Sequence, residues 1–319
     1  MTQSATLPPP RRFIGCDVGK ETIAVHDSHG GETRVLPNAA EALAAFAATL
    51  DEDCLVVCEA TGGYETALLE AAVSAGVPAH RADARRVKAF IRSLGTLAKT
   101  DALDARALAR YGAERHAALT RWRPRDKARE RLRQLVAARQ DMVRDRAACR
   151  NRLSAPGAEA IAPRLKRIAA VIDAEIAGVD DDIARLIDSN PRLKEAVATL
   201  RAIKGLGATT AASLLALMPE LGTLGRRQAA ALAGLAPHPR QSGKADAYRR
   251  TKGGRPQVRR ALFMATLAAV RYNPVLKAFY QRLRANGKKP LVAITAAMRK
   301  LITIANAKLR DAQIDNFAN

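Results

Sequence analysis

Aromatic residues are scarce in this sequence, 4% of 319 residues with a single Trp, so its core must come from the aliphatic part of a 48% hydrophobic content. Acidic side chains are also in deficit: 31 Asp and Glu face 53 Lys and Arg, for a formal net charge of +22. A compact chain with that charge repels itself unless a polyanion shares it. Nucleic acid is therefore the expected partner, with an anionic membrane surface as the lesser alternative. No apolar run approaches the roughly 18 to 20 residues that cross a bilayer. The opening MTQSATLPPPRR lacks the apolar stretch of a secretory signal, and residues 1–11 are expected to form a disordered arm. The four cysteines (Cys16, Cys54, Cys58, Cys149) form no CxxC pair, and the five histidines form no HxxxH or mixed Cys/His set, which argues against zinc. Cys54 and Cys58, four apart in a strand-like run, should share one buried face as reduced thiols. A cytoplasmic, nucleoid-associated protein with no membrane segment is the expectation.

What is present has an α/β order. RFIGCDVG, TIAVHD and TRVLP are short β runs separated by Gly and polar turns, and predict an antiparallel meander. EALAAFAATL predicts a helix, CLVVCEA a fully buried strand, YETALLEAAVSAG a helix closed by Gly76, VPAHRA a strand, and ARRVKAFIRSLG and ALDARALARYGAE two helices. This sequence of elements matches a ribonuclease-H-like domain over residues 12–120, with sheet order 3-2-1-4-5. Beyond Trp122 the composition shifts to twelve basic and four acidic residues between Arg121 and Arg152. Apolar positions there, and again at Ile161, Leu165, Ile168, Ile172, Ile176, Val179, Ile183 and Leu186, keep a helical step. Residues 121–195 are thus expected to form a helical hairpin, or coiled coil, for spacing, nucleic-acid contact or oligomerisation.

The remainder, 196–319, is expected to be mostly α. Gly205-Leu206-Gly207 between two helical runs suggests a helix-hairpin-helix element, in which Lys204 and the backbone of Gly205 and Gly207 approach a phosphate. From Arg240 to Arg260 there are eight basic residues and one acid: Arg240, Lys244, Arg249, Arg250, Lys252, Arg255, Arg259 and Arg260 against Asp246. This stretch is expected to be a basic, nucleic-acid-binding loop leading into a helix from about Pro256, followed by a final helix from Pro290 to Leu309.

Four acids stand where such a fold would gather them. Asp17 lies in the first predicted strand and Glu59 closes the fourth, which is its neighbour in a 3-2-1-4-5 sheet. Asp101 and Asp104, three apart at a helix start, share a face. Clustered carboxylates raise one another's pKa, and hard cations relieve that repulsion. Two Mg²⁺ or Mn²⁺ ions about 4 Å apart can grip the attacking and leaving oxygens of a phosphodiester. The plainer role for an Asp at a helix start is capping.

IGCDVGK, CEATGGY and KTDALDARALA together resemble the acidic motifs of the insertion sequence 110 family of bacterial transposases, which includes pilin-gene inverting recombinases. IKGLG, AALAGLAP and RQSG…RRAL resemble that family's C-terminal domain. The similarity spans about Arg12 to Leu309. It implies a RuvC-like N-terminal domain with a DEDD metal set on Asp17, Glu59, Asp101 and Asp104, and a serine nucleophile at Ser242. It further implies a homo-oligomer, dimer or tetramer, that joins target and donor DNA under a structured guide RNA. After Ser242 the chain is richer in basic residues than the family pattern. His238, the nearest candidate base, is flanked by prolines. Alternatives are a metal-dependent junction resolvase in which Ser242 only binds phosphate, a non-catalytic nucleic-acid-binding protein, and an actin-like kinase. The last shares a resemblance to IGCDVGK but requires downstream phosphate and adenosine motifs not found here.

Overall fold

A computed structural model describes residues 10–95, 100–124, 126–242 and 245–318, with residues 238–242, 245–250 and 313–318 described by their backbone. The chain forms two compact units, Met1–Pro124 and Arg125–Asn319.

The first unit is a mixed five-stranded sheet with helices on both faces. β1 (Arg12–Val18), β2 (Thr22–Asp27) and β3 (Thr33–Pro37) form the antiparallel meander. α1 (Ala40–Ala47), β4 (Cys54–Glu59), α2 (Thr66–Ser74), β5 (Ala79–Ala82), α3 (Ala84–Ser93) and α4 (Asp101–Arg115) follow. The order is β3-β2-β1-β4-β5, with β4 parallel to both β1 and β5. This is the order expected from the sequence. β4 reads as an unbroken apolar run because it is covered on both faces. The period of two along each strand sorts side chains between two cores. Ile14, Cys16, Val25, Cys54, Val56 and Cys58 pack with Leu43 of α1 and Leu68 of α2. Phe13, Leu55 and Val57 pack with Phe90 of α3 and Leu108 of α4 on the opposite face. Burying each Leu or Val contributes about 1.5–3 kcal/mol. Cys54 and Cys58 share a face, fully buried as free thiols, and burial pushes the Cys58 thiol well above its ordinary pKa.

One glycine sets how α4 lies. A Cβ at Gly15 would stand 2.0 Å from the Ala105 carbonyl oxygen and 2.3 Å from the Ala109 nitrogen. Only a residue without a side chain lets the backbone of α4 rest directly on β1.

The second unit is mostly helical: α5 (Lys127–Leu153), α6 (Ala162–Asp188), α7 (Pro191–Arg201), α8 (Ala208–Leu217), α9 (Arg226–Leu232), β6 (Pro237–Ser242), β7 (Ala245–Thr251), α10 (Pro256–Tyr272), α11 (Pro274–Ala285) and α12 (Pro290–Ala318). Pro191, Pro256 and Pro274 open their helices, where the missing N–H costs no bond. α5 and α6 pair as a hairpin joined by Arg139–Asp180 at 2.6 Å and Arg146–Asp173 at 2.9 Å. Its base enters the core of this unit through Leu132, Val136, Ile183 and Ile187. Farther along α6 the apolar seam is only partly used: Leu165 and Ile176 are buried, whereas Ile168 is exposed.

Two expectations need correction. The stretch after Pro237 is an antiparallel hairpin of β6 and β7, not an irregular loop, with the pair Ser242–Ala245 at its end. Charge and turn residues masked the strand character of AYRRT. The final helix runs on to Ala318 rather than stopping near Leu309. Among the described residues no helix is long and apolar enough to cross a membrane.

Candidate active site

The last registered pair between β1 and β4 is Cys16 with Cys58. Asp17 and Glu59 come next, at the carboxyl ends of adjacent parallel strands about 4.8 Å apart. By the strand period Asp17 belongs to the face of Phe13 and Gly15, and Glu59 to the face of Leu55 and Val57. That is the face α4 covers.

The register of α4 follows from its glycine contacts. A Cβ on Gly112 would reach 3.3 Å from Phe13 Cδ1 and 2.9 Å from Val57 Cγ2, while Gly15 faces Ala105 and Ala109. The helix therefore runs against the direction of β1. Two strand residues advance about 6.6 Å, which four or five helical residues match at about 1.5 Å each. Stepping from Gly15 to Asp17 thus leads to the first turn of α4, which carries Asp101 and Asp104. Three segments far apart in sequence bring their acids to one edge of the sheet.

Capping does not account for the helix pair. Thr100 is the N-cap, its Oγ1 accepting a hydrogen bond from Leu103 N at 3.2 Å. The positive end of the helix favours carboxylates in that turn. Asp17, Glu59 and Asp104 are half-buried and Asp101 is exposed, so the edge is open to a ligand. Among the described residues no three His, Cys, Asp or Glu side chains are grouped closely enough to hold a metal as they stand. The backbone convergence is therefore not a finished cage. Hard oxygen donors on two strand ends and a helix start nonetheless suit Mg²⁺ or Mn²⁺, which tolerate water and substrate oxygens in the remaining positions.

Glu65 is a residue the sequence reasoning passed over. It is 1% exposed and ends the ATGGYE segment that follows β4. Its Oε2 accepts hydrogen bonds from Gly63 N at 2.9 Å and Thr61 N at 3.1 Å, and its Oε1 pairs with Arg81 at 3.3 Å. Burial pushes its pKa up, but the backbone donors and Arg81 outweigh this and hold it below the ordinary carboxylate value. The carboxylate thereby braces the turn immediately beyond Glu59. Its stabilising effect is complete above the unfolded pKa of about 4.3 and is lost as pH falls through the lower folded value. Glu65→Gln is expected to cost about 1–3 kcal/mol near neutral pH. Denaturant titrations should show the gap to wild type closing in acid; a gap independent of pH would assign the effect to shape alone. The only signal for Glu65 in the sequence was a second Glu six residues after Glu59.

The buried histidines serve structure. His26 Nδ1 lies 2.8 Å from Thr33 Oγ1, His80 Nδ1–H donates to the Thr120 carbonyl at 2.7 Å, and burial lowers both pKa values.

In the second unit Ser242 is the last residue of β6, and Arg240, Arg249 and Arg250 lie in the same two-stranded hairpin; Lys244 falls outside the described residues. Arg255 donates to Glu220 at 2.7 and 2.8 Å and to the Leu217 carbonyl at 2.6 Å. Arg259 donates to the Gly234 carbonyl at 3.0 Å. Both arginines thus hold α10 in place. Lys204, Lys252 and Arg260 are exposed. Gly205, at φ +106°, is packed against α10, where a Cβ would stand 2.6 Å from Ala269 Cα; packing by itself requires this glycine. Gly207 is the N-cap of α8, with open space at its Cβ position.

Residues 14–156 match the DEDD Tnp IS110 family, described as a transposase, and residues 197–281 match the transposase IS116/IS110/IS902 family. The pilin gene-inverting protein of Moraxella lacunata is 31% identical over 259 residues, 80% of each chain. The insertion element IS110 43.6 kDa protein of Streptomyces coelicolor is 29% identical over 154 residues, 47% of this chain and 37% of that one. Among solved structures, RuvC of Thermus thermophilus in complex with a Holliday junction is 17% identical, with a TM-score of 0.28, over 35% of this chain and 99% of that one. Matched in both its units and aligned over four-fifths of its length with a gene-inverting relative, the chain belongs to the IS116/IS110/IS902 family of transposases, enzymes of DNA recombination.

Proposed function

We propose that Asp17, Glu59, Asp101 and Asp104 hold divalent cations, Mg²⁺ or Mn²⁺, at a DNA phosphodiester, and that Ser242 is the nucleophile that cuts it. The meeting of three acid-bearing segments at the α4 end of β1 and β4 carries this reading. Bound cations supply charge stabilisation at the scissile phosphate. Asp17 and Glu59 would supply their oxygens from the ends of neighbouring strands. Asp101 and Asp104 close the set from the helix. Ser242 Oγ gives up its proton and bonds to phosphorus, the phosphorus–oxygen bond of one DNA strand breaks, and the released oxygen gains the proton that the serine lost. The phosphoserine keeps the bond energy needed for rejoining.

The family resemblance supports two further parts of this reading. Different subunits of a homo-oligomer contribute the serine and the carboxylates to one phosphate, and a structured RNA selects target and donor DNA. A chain poor in aromatics and rich in Arg suits recognition of a folded RNA by shape and backbone. Recombination of a fixed DNA pair is the test. It should stop in EDTA and after ribonuclease treatment. Persistence in EDTA sinks the metal reading, and an undiminished rate after ribonuclease sinks the guide.

A further inference from the structure

A groove of ≈ 590 Å³ in the second unit plays no part in the chemistry above. Its cations come from two separate helices: Arg226 and Arg227 from the first turn of α9, Arg299 and Lys300 from α12. Its apolar surface is the ring of Phe279 on α11, with Ala296 and Thr303 beside it. Among the described residues no carboxylate lines it, and no ion pair involves any of the four cations. Other arginines of this unit are paired with acids, as Arg139 is with Asp180 and Arg255 with Glu220.

Here a ring takes the place of the acid. Lys300 Nζ lies 4.7 Å from the Phe279 ring centre, and Arg282 Cζ lies 5.5 Å from it. The quadrupole of an aromatic ring holds a cation in place without cancelling its charge. The ring therefore holds Lys300 at the groove with its charge available to an anion, beside Arg226, Arg227 and Arg299. Apolar surface beside unpaired cations suits a ligand with both a phosphate and an apolar body. A bare phosphate leaves the apolar part uncovered. A duplex presents a convex backbone and cannot place a base in a concave site without unstacking it.

We propose that this groove is a subsite for an unpaired nucleotide and its adjacent phosphates within a single strand of nucleic acid. It rests on neither the metal set nor Ser242. The strand is RNA or DNA, and both share the chemistry that the groove reads.

Equilibrium binding of the full-length protein to labelled oligouridylate, oligothymidylate and a blunt DNA duplex, as a function of salt, tests it. For the Arg299→Ala/Lys300→Ala double variant, single-strand affinity should fall about tenfold or more, and the slope of log K against log salt should shrink by about 0.7 for each phosphate that is no longer neutralised. Duplex affinity should change by less than about threefold. Loss on one of the two single strands supports the subsite and identifies its strand; loss on both supports it for either. Phe279→Leu keeps the net charge and most of the apolar volume but removes the quadrupole. It should weaken single-strand binding about threefold with the duplex unaffected. Should the double variant fail to fold, Phe279→Leu by itself decides. Equal losses on single strand and duplex, or no loss on either single strand, overturn the proposal. Binding is read without cleavage, so failure of the subsite and failure of the proposed chemistry are told apart.

Discussion

On nicked DNA substrates that trap the cut state, the wild-type protein is expected to yield an SDS-resistant protein–DNA adduct, and Ser242→Ala to yield none. A serine hydroxyl is a weak nucleophile at neutral pH, and a recombinase must conserve phosphodiester energy while strands change partners; a covalent phosphoserine satisfies that second need. Hydrolysis by water requires no adduct and leaves free ends. The expected loss of strand transfer in Ser242→Ala is on the order of 10⁴- to 10⁶-fold, the scale seen when one member of a catalytic unit is removed. The same adduct should disappear in Asp101→Asn, because the serine depends on the metal-holding set for activation. Mixing Ser242→Ala with Asp101→Asn should restore part of the cleavage, since one subunit can supply the serine and another the carboxylates. An adduct still formed by Ser242→Ala would reassign the nucleophile. Cleavage with no adduct under any condition would replace recombination by metal-dependent hydrolysis.

Asp17→Asn and Glu59→Gln are each expected to reduce strand cleavage by about three to four orders of magnitude while leaving DNA affinity nearly unchanged. Each replacement keeps the shape of the side chain and removes one negative charge. A cation loses a hard anionic donor, but the basic surface that binds phosphates gains slightly in net charge. Binding and cleavage measured on the same preparation separate these effects, with thermal melting as the control for folding. Joint loss of binding and cleavage would indicate a structural role at the end of the sheet. Full cleavage by either variant would remove that residue from the metal set.

Local pattern made much of this protein legible. The alternation in RFIGCDVG and TIAVHD, the apolar run CLVVC and the 3.6-residue rhythm of the helices encode strand, buried strand and helix through side-chain direction alone. The sheet order followed, because few topologies accommodate that succession of elements. The charge of +22 is a property of composition, and it points to a polyanion whatever the fold. Asp17, Glu59, Asp101 and Asp104 stood out as acids placed at strand ends and a helix start.

Tertiary structure decided what depends on contacts between distant segments. That α4 runs against β1 with its first turn beside Asp17 is set by the missing side chains of Gly15 and Gly112, which let backbone and ring approach closely. Glu65 became a buried brace only when Arg81, from the next strand, reached it. The partners of Arg255 and Arg259, Glu220 and the Gly234 carbonyl, lie outside the basic run that holds the two arginines and could not be read from it. That Gly205 packs against Ala269 follows from the approach of α10 and has no local signal. The groove around Phe279 has no sequence signature, because its cations belong to α9 and α12, helices far apart along the chain. Periodicity records which face of an element is buried. It does not record what that face meets, which depends on volumes and charges contributed from elsewhere in the chain.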